Sequence, residues 1–364
     1  MRITFVLPGT GLSGGTRVLA IYAERLHRRG HVVNVVSHPW RKRTLLRKLI
    51  SLLRGRGWPK KVEREPSFFD GLAMPHRVLQ SDRPVTDSDV PDADVVIATW
   101  WKTAESVSKL SPLKGAKVYF IQHYELFDYT PHKRVKATWR LPLYKITIAK
   151  WLAELAKQEY GDRKVWLVPN SVDTNQFYAL PRSRQLQPTV GLLYSTTKWK
   201  GVDVSLKAFE LAAKRVPELR LIAFGAEPVA EWLPLPAGAS FHYRPAQESI
   251  RDLYASCDVW LCASYSEGFG LPLLEAMACR CPVVSTNAGG PADFIQSGYN
   301  GYIVPVGNAE ALAGRLVDVL ALDEAKWRAM SDAALRTATR YTWDDATDLL
   351  EAALGDVIRD ARHT

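Results

Sequence analysis

The residues best placed to do chemistry stand in one run, Ser264-Tyr265-Ser266-Glu267-Gly268-Phe269-Gly270-Leu271-Pro272-Leu273-Leu274-Glu275-Ala276-Met277. The apolar stretch before it, Val259 to Ala263, reads as a buried strand. The stretch after Gly270 reads as a helix with Pro272 in its first turn, where a missing N–H is tolerated. Gly268, Gly270 and their neighbours can then present backbone N–H groups at a helix N-terminus, whose dipole favours an anion such as a diphosphate. Glu267, in the loop, can meet the bound group, and Glu275, one turn into the helix, can face the same crevice and accept two vicinal hydroxyls. A glycine turn with a capping glutamate and no ligand has the same appearance, so the run by itself leaves both readings open.

A second glycine loop lies near the start of the chain. Gly9-Thr10-Gly11-Leu12-Ser13-Gly14 spells G-x-G-x-x-G between a strand, Ile3 to Leu7, and a helical pattern, Thr16 to Arg29, which is the setting of a dinucleotide fingerprint. That fingerprint needs an acidic residue at the end of the second strand to take the ribose hydroxyls. Here the strand ends Val36-Ser37-His38, and no Asp or Glu stands between Glu24 and Glu63. A nicotinamide cofactor is therefore disfavoured, with Arg41 and Arg43 the one opening for its phosphorylated form. The loop reads instead as a close backbone approach to an anion or sugar at Gly14 and Gly15, which carry no Cβ. Asp92-Ala93-Asp94 offers two carboxylates to a metal, but Pro91 before it and the strand Val95-Val96-Ile97 after it make it a polar turn. No metal and no cofactor are expected.

The chain that must position these loops has 364 residues, 47% apolar and 24% charged, the balance of a soluble globular protein of about two domains. Its net charge of +10 is uneven: residues 1–184 sum to +16 and residues 185–364 to −6. Trp40 to Lys61 holds nine basic residues and no acid, with Leu45, Leu46, Leu49, Ile50, Leu52 and Leu53 at helical spacing. That is a basic amphipathic helix suited to an anionic membrane surface, which gains about 1 kcal/mol per basic residue near the headgroups. A solvated helix packing its leucines on the domain fits the same pattern. Lys133 to Lys150 is a second acid-free stretch, interleaving Lys133, Arg134, Lys136, Arg140 and Lys145 with Trp139 and Tyr144. No helix-turn-helix, RNA-recognition or finger motif accompanies the charge, so no nucleic acid is expected.

Cys257, Cys262, Cys279 and Cys281 do not have zinc-site spacing and read as reduced thiols of a cytosolic protein. The opening MRITFVLPGTGLSGG has too short an apolar run for a secretory signal. No stretch approaches the roughly 18 to 20 apolar residues of a membrane span. A cytoplasmic protein, peripheral at most to the inner face of a membrane, is the expectation.

Strands at Ile3–Leu7 and Val32–Ser37 around one helix make a βαβ opening and predict a parallel sheet. Further strands are expected at 95–99, 118–122 and 165–169. After the turn-rich stretch 180–188 the pattern restarts, with strands at 190–194, 219–225, 240–243, 259–263, 283–286 and 302–304. From Asn308 onward the pattern is helical, with a break at Tyr341-Thr342-Trp343 before a terminal helix, 344–362. The domains implied are 1–184 and 185–343, with 344–364 packing back on the first.

With these residues assembled, the whole chain resembles the retaining family 4 glycosyltransferases, of group 1 type, whose fold is glycosyltransferase-B. Their E-x7-E signature stands here as Glu267 and Glu275, flanked by Pro282-Val283-Val284-Ser285-Thr286, Gly289-Gly290 and Asn300-Gly301. The first half agrees through Leu12-Ser13-Gly14-Gly15, Gln122-His123-Tyr124-Glu125 and Val168-Pro169-Asn170-Ser171-Val172-Asp173. The resemblance implies two Rossmann-like α/β domains of doubly wound parallel sheet facing a central cleft. It implies that Glu275 binds the donor ribose and that Glu267 meets the transferred sugar on the face where the acceptor attacks. Gly268, Phe269, Gly270 and Leu271 would contact diphosphate or sugar, and Lys200, in Thr197-Lys198-Trp199-Lys200-Gly201, would neutralise the diphosphate. His123 would contact the donor sugar and shape the acceptor side, Gly14 and Gly15 would form the first-domain glycine loop, and Arg244 would lie near the nucleobase.

Three positions depart from the family pattern. The arginine usual five residues before the lysine is Ser195 here, with Lys198 as its available substitute. Arg280 stands where glycine is frequent, and Asp293 where glutamate is. The function implied is transfer of a hexose or deoxyhexose from a nucleoside-diphosphate sugar to a glycan or lipid-linked glycan, without metal, in bacterial cell-surface polysaccharide or glycolipid synthesis. A nucleotide-sugar 2-epimerase of the same architecture and a non-catalytic sugar-nucleotide sensor are the alternatives.

Overall fold

The computed structural model describes residues 1–39 and 66–363. The stretch 40–61, read above as a basic amphipathic helix, lies outside the described residues. The chain forms two units: Met1–Thr147, Ala153–Val168 and Thr347–Thr364 in the first, Ile148–Leu152 and Pro169–Ala346 in the second.

The first unit is built on β1 (Arg2–Leu7), β2 (Val32–Ser37), β3 (His76–Val78), β4 (Val95–Ala98), β5 (Ala116–Ile121), β6 (Tyr144–Thr147) and β7 (Val165–Leu167). They pair in the order β3-β2-β1-β4-β5-β6-β7, every pair parallel. The central strands are continuous apolar runs because both faces of a parallel sheet are covered; Ile3, Phe5, Val6, Val95, Val96 and Ile97 are at most 1% exposed. The helix Gly14–Arg28 opens on Ser13, whose hydroxyl accepts from the Thr16 amide. It closes at Gly30, with the left-handed φ of +86° that a helix C-terminus favours. From β1 the chain winds one way to β2 and β3, then crosses to β4 and continues the other way. The carboxyl ends of β1 and β4 therefore flank the switch point where such sheets bind ligands.

The second unit repeats the plan with β8 (Thr189–Leu193), β9 (Arg220–Gly225), β10 (Ser240–Tyr243), β11 (Val259–Cys262), β12 (Val283–Thr286) and β13 (Gly301–Val304). The order is β10-β9-β8-β11-β12-β13, all parallel, which puts the switch point between β8 and β11. Its core joins Val190 and Leu192 to Leu206, Phe209, Leu312, Leu316 and Trp327. The indole of fully buried Trp327 donates to the Asp258 carbonyl at 3.0 Å.

Two strands escaped the sequence reading. β3 is a three-residue, mostly exposed edge strand. β6 carries Lys145 in its middle, which disguised it as basic surface. The first unit ends at Val168, not near residue 184, because the linking stretch is tied to the second unit. Arg182 donates to the Arg280 carbonyl, and the Asp258 carboxylate accepts from the Gln185 and Thr189 amides at 2.8 and 2.9 Å.

The helix Trp343–His363 belongs to the first unit from Thr347 onward. Glu351 pairs with Arg29 and His31, Asp360 with Lys164, and Leu350, Leu354 and Val357 are fully buried. Leu354→Ala is expected to destabilise the protein by about 2–5 kcal/mol, the range for a core leucine that leaves a cavity. Urea unfolding would read this as a lowered midpoint with unchanged slope. Among the described residues, no helix is long and apolar enough to cross a membrane.

Candidate functional site

In the second unit the loops following β8 and β11 meet at the switch point. After β8 a short 3-10 turn, Lys198–Lys200, closes at Gly201 with φ +57°. A Cβ there would lie 2.1 Å from the Ala263 carbonyl oxygen, so only glycine lets the loop approach β11 this closely. After β11, the turn carrying Glu267 is clamped to the loop after β12. The Glu267 amide donates to Ala288 O at 2.7 Å, and the Gly290 amide donates to Glu267 O at 3.1 Å. Gly290 again has no room for a Cβ, which would fall 2.3 Å from Phe269 Cα. Gly270, at φ +96°, then turns the chain into the helix Leu271–Ala278, with Pro272 in its first turn.

These constraints bring Lys200 and Glu267 together although 67 residues separate them. Lys200 Nζ donates to Glu267 Oε1 at 2.7 Å, and Ser264 Oγ donates to the same oxygen at 2.7 Å. Burial pushes the Lys200 ammonium toward deprotonation, but the Glu267 charge and hydrogen bond outweigh it, and its pKa is raised. A fixed ammonium and a largely buried carboxylate therefore line one narrow pocket with Ser264, Gly270 and Pro272, at the head of a helix.

The other expected residues of this unit fall around that pocket. Gly268 accepts from the Trp151 indole at 3.0 Å through its carbonyl, and Phe269 and Leu271 are buried, Phe269 against Phe294. Glu275 is buried on the helix Leu271–Ala278 and accepts from Tyr254 OH at 2.9 Å; it lies outside the lining of the Lys200 pocket. Ser195 is half-buried and accepts from the Thr197 amide, whereas Lys198 is exposed. Arg244 is exposed just beyond β10, with φ +46° and its guanidinium donating to Ala226 O. Arg280 adopts φ +58°, which explains why glycine suits that position; its guanidinium donates to Ala179 O and pairs with Asp332. Asp293 accepts from the Lys150 amide at 2.8 Å. Sequence reasoning missed Ser264, Trp151 and Tyr254. Ser264 alone had a signal, its place at the end of a strand beside Glu267.

In the first unit Gly14 and Gly15 open the helix after β1, and a Cβ on Gly15 would meet the Gln122 side chain at 3.3 Å. His123, next along and just past β5, is half-buried, with its ring 4.9 Å from Phe127 and Nδ1 3.1 Å from the Tyr124 carbonyl oxygen. Both therefore stand at the carboxyl edge of the sheet. Nearby Glu125 is buried, accepts from the Trp101 amide and Tyr119 OH, and is pushed by burial to a pKa of about 8. The stretch 133–150 is not a uniform basic face. Lys145 is buried against Asp162 at 2.6 Å, Arg134 is paired with Glu105, and Trp139 is buried. Asp94 is engaged by Arg2 and Asp92 by Lys114. The four thiols are free cysteines, and burial raises the pKa of each.

Glu125 makes the first unit's stability pH-dependent. Its folded pKa lies above the ordinary value of 4.5, so its contribution is full below about 4.5 and is lost as pH rises through about 8. Glu125→Gln keeps the acceptor and removes the titration. It should flatten the decline in unfolding free energy over that window, and an unchanged slope in denaturation at several pH values would contradict this.

Two doubly wound parallel-sheet units, each with its loops gathered at a switch point, define the class of α/β protein to which solved glycosyltransferase structures also belong. Sucrose-phosphate synthase from Thermosynechococcus elongatus superposes with a TM-score of 0.76 at 16% identity, over 99% of this chain and 100% of that one. Anabaena Alr3699/HepE, solved with UDP and glucose, gives 0.74 at 17% identity, over 98% and 100%. Residues 182–336, which contain the Lys200–Glu267 pocket, match the glycosyl transferases group 1. D-inositol 3-phosphate glycosyltransferase of Mycolicibacterium vanbaalenii is 38% identical over 120 residues, 32% of this chain. That match spans about a quarter of the relative's length, 26%.

Proposed function

We propose that the chain is a retaining glycosyltransferase that moves a hexose or deoxyhexose from a nucleoside-diphosphate sugar to an acceptor hydroxyl. The observation that carries this reading is the Lys200 ammonium, 2.7 Å from Glu267 at the head of the helix Leu271–Ala278. The pocket between them has room for about one water molecule, about 20 Å³, so the diphosphate lies over its mouth and Lys200 reaches it there. In the reaction the bond from the anomeric carbon to the phosphate oxygen breaks, and the acceptor oxygen bonds to that carbon on the same face. The acceptor proton passes to the departing phosphate. Lys200 and the first-turn amides stabilise the charge that develops on the leaving group, where each oriented donor is typically worth about 3 kcal/mol. No metal is assigned a part, since Lys200 supplies the cation. Glu267, held by Lys200 and Ser264, orients the sugar; Glu275 takes the ribose, Arg244 lies by the base, and Gly14, Gly15 and His123 serve the acceptor side.

Glu267→Ala should abolish transfer while weakening nucleotide binding far less, as compared by turnover and calorimetry. Thermal-shift screening against UDP-, GDP- and dTDP-sugars tests the donor class, since a ligand at about 100 times its dissociation constant adds roughly 2.7 kcal/mol. No shift with any of them contradicts the reading, and conversion of the donor alone to an isomer would replace it with an epimerase. A membrane-surface acceptor is supported by the nine basic residues of Trp40 to Lys61. Equal co-sedimentation with anionic and neutral vesicles would rule that out.

A further inference from the structure

The stretch Ile148–Leu152 belongs to the second unit, although Thr147 before it and Ala153 after it belong to the first. Two hydrogen bonds tie it to the loops that shape the Lys200–Glu267 pocket. The Lys150 amide, at the head of the helix Lys150–Tyr160, donates to Asp293 Oδ2 at 2.8 Å in the loop after β12. One residue on, the half-buried Trp151 indole donates to Gly268 O at 3.0 Å in the loop after β11. The sequence leaves room for that ring. Gly289 has φ +106°, and a Cβ on it would lie 2.7 Å from Trp151 Cε2 and 2.8 Å from Nε1. The same Cβ would lie 3.0 Å from Glu267 O, so the indole, Gly289 and the Glu267 backbone meet in one contact.

Packing alone would be served by any flat ring, but here the N–H is directed at one carbonyl. That carbonyl is half of a peptide group. A trans peptide is planar, with its N–H pointing opposite to its C=O, so the indole that fixes Gly268 O also fixes the Phe269 N–H, which points away from the ring. Phe269 stands two residues after Glu267, at the entry to the helix Leu271–Ala278. Glu267 itself is pinned on both sides, its amide to Ala288 O at 2.7 Å and its carbonyl by the Gly290 amide at 3.1 Å. The peptide that follows has Gly268 before it and Gly270 after Phe269, residues with the widest choice of backbone angles. An outside hold is what selects one orientation for it, and Trp151 supplies that hold.

We propose that Trp151 is a positioning residue, whose indole holds the Gly268–Phe269 peptide so that the Phe269 N–H donates to the phosphate that carries the sugar. This rests on the donor reading above, in which the sugar lies against Glu267; the phosphate joined to that sugar is then the one within reach of the peptide beside it. Trp151 acts through the peptide and does not itself touch the donor.

Calorimetry on the full chain compares UDP with UMP, GDP with GMP and dTDP with dTMP. Wild type is expected to bind at least one diphosphate more tightly than its monophosphate. Trp151→Phe keeps a ring and removes the N–H; it should weaken that diphosphate roughly five- to tenfold, the worth of one hydrogen bond, and leave the monophosphate unchanged. Trp151→Gly, which also serves if the phenylalanine variant misfolds, should recover diphosphate affinity when indole is added but not when benzofuran is, since benzofuran has the same shape without the N–H. Equal losses for diphosphate and monophosphate, no loss in either variant, or recovery with benzofuran as well as indole overturns the proposal, because each leaves the tryptophan a packing role alone. A wild-type protein that binds none of these nucleotides refutes the donor reading itself, and the proposal with it.

Discussion

Lys200→Ala is expected to lower kcat/KM for sugar transfer by roughly 100- to 1000-fold, the loss seen when one preorganised stabiliser of a developing charge is removed. Lys200 Nζ stands 2.7 Å from Glu267 Oε1, whereas nearby Lys198 is exposed. Lys198→Ala should cost much less, which would count against Lys198 as the substitute for the arginine absent at Ser195. The same substitution has a structural effect. It removes the ammonium paired with the Glu267 side chain, which is 10% exposed; breaking a fully buried pair costs about 3–5 kcal/mol. The double variant Lys200→Ala/Glu267→Gln should recover much of that stability and none of the turnover. Recovery of turnover would show that Lys200 acts only by neutralising the glutamate.

Gly290→Ala should be nearly as damaging, although it removes no functional group. An added Cβ would lie 2.3 Å from Phe269 Cα, 2.5 Å from Phe269 O and 2.6 Å from Gly268 O. All three are backbone atoms, so no side chain can swing aside and the loop carrying Glu267 must move. Overpacking of this kind costs about 1–3 kcal/mol of stability. Its larger effect is on geometry, because the Gly290 amide holds Glu267 O at 3.1 Å and Phe269 leads directly into the helix head. A displacement of about 1 Å in a positioning element can lower turnover about 100-fold. We therefore expect a folded protein with sharply reduced kcat. Gly314→Ala, on a helix where no heavy atom lies within 4 Å of the added Cβ, is the neutral control.

All six strands of the second unit could be read from the sequence: the central ones are short apolar runs closed by turn residues, as a sheet covered on both faces requires, while the edge strand β10 is half-exposed. The same rule hid β6. Its Lys145 is buried only because Asp162, 17 residues later, meets it at 2.6 Å, a pairing that no local pattern announces. β3 is too short and exposed to have a pattern. Glu267, Gly270 and Pro272 were legible from the strand, turn and helix around them. Their partners were less so: the reach of Lys200 to Glu267 depends on Gly201 lying against Ala263, and the Trp151 indole arrives at Gly268 from 117 residues away.

The most direct measurement is a crystal structure of the protein with an intact nucleoside-diphosphate sugar. The account predicts that phosphate oxygens lie within hydrogen-bonding distance of Lys200 Nζ and the amides around Gly270, with the sugar against Glu267 and the ribose at Glu275. A ligand bound elsewhere, with the Lys200–Glu267 pair undisturbed and no contact to the head of Leu271–Ala278, would contradict it.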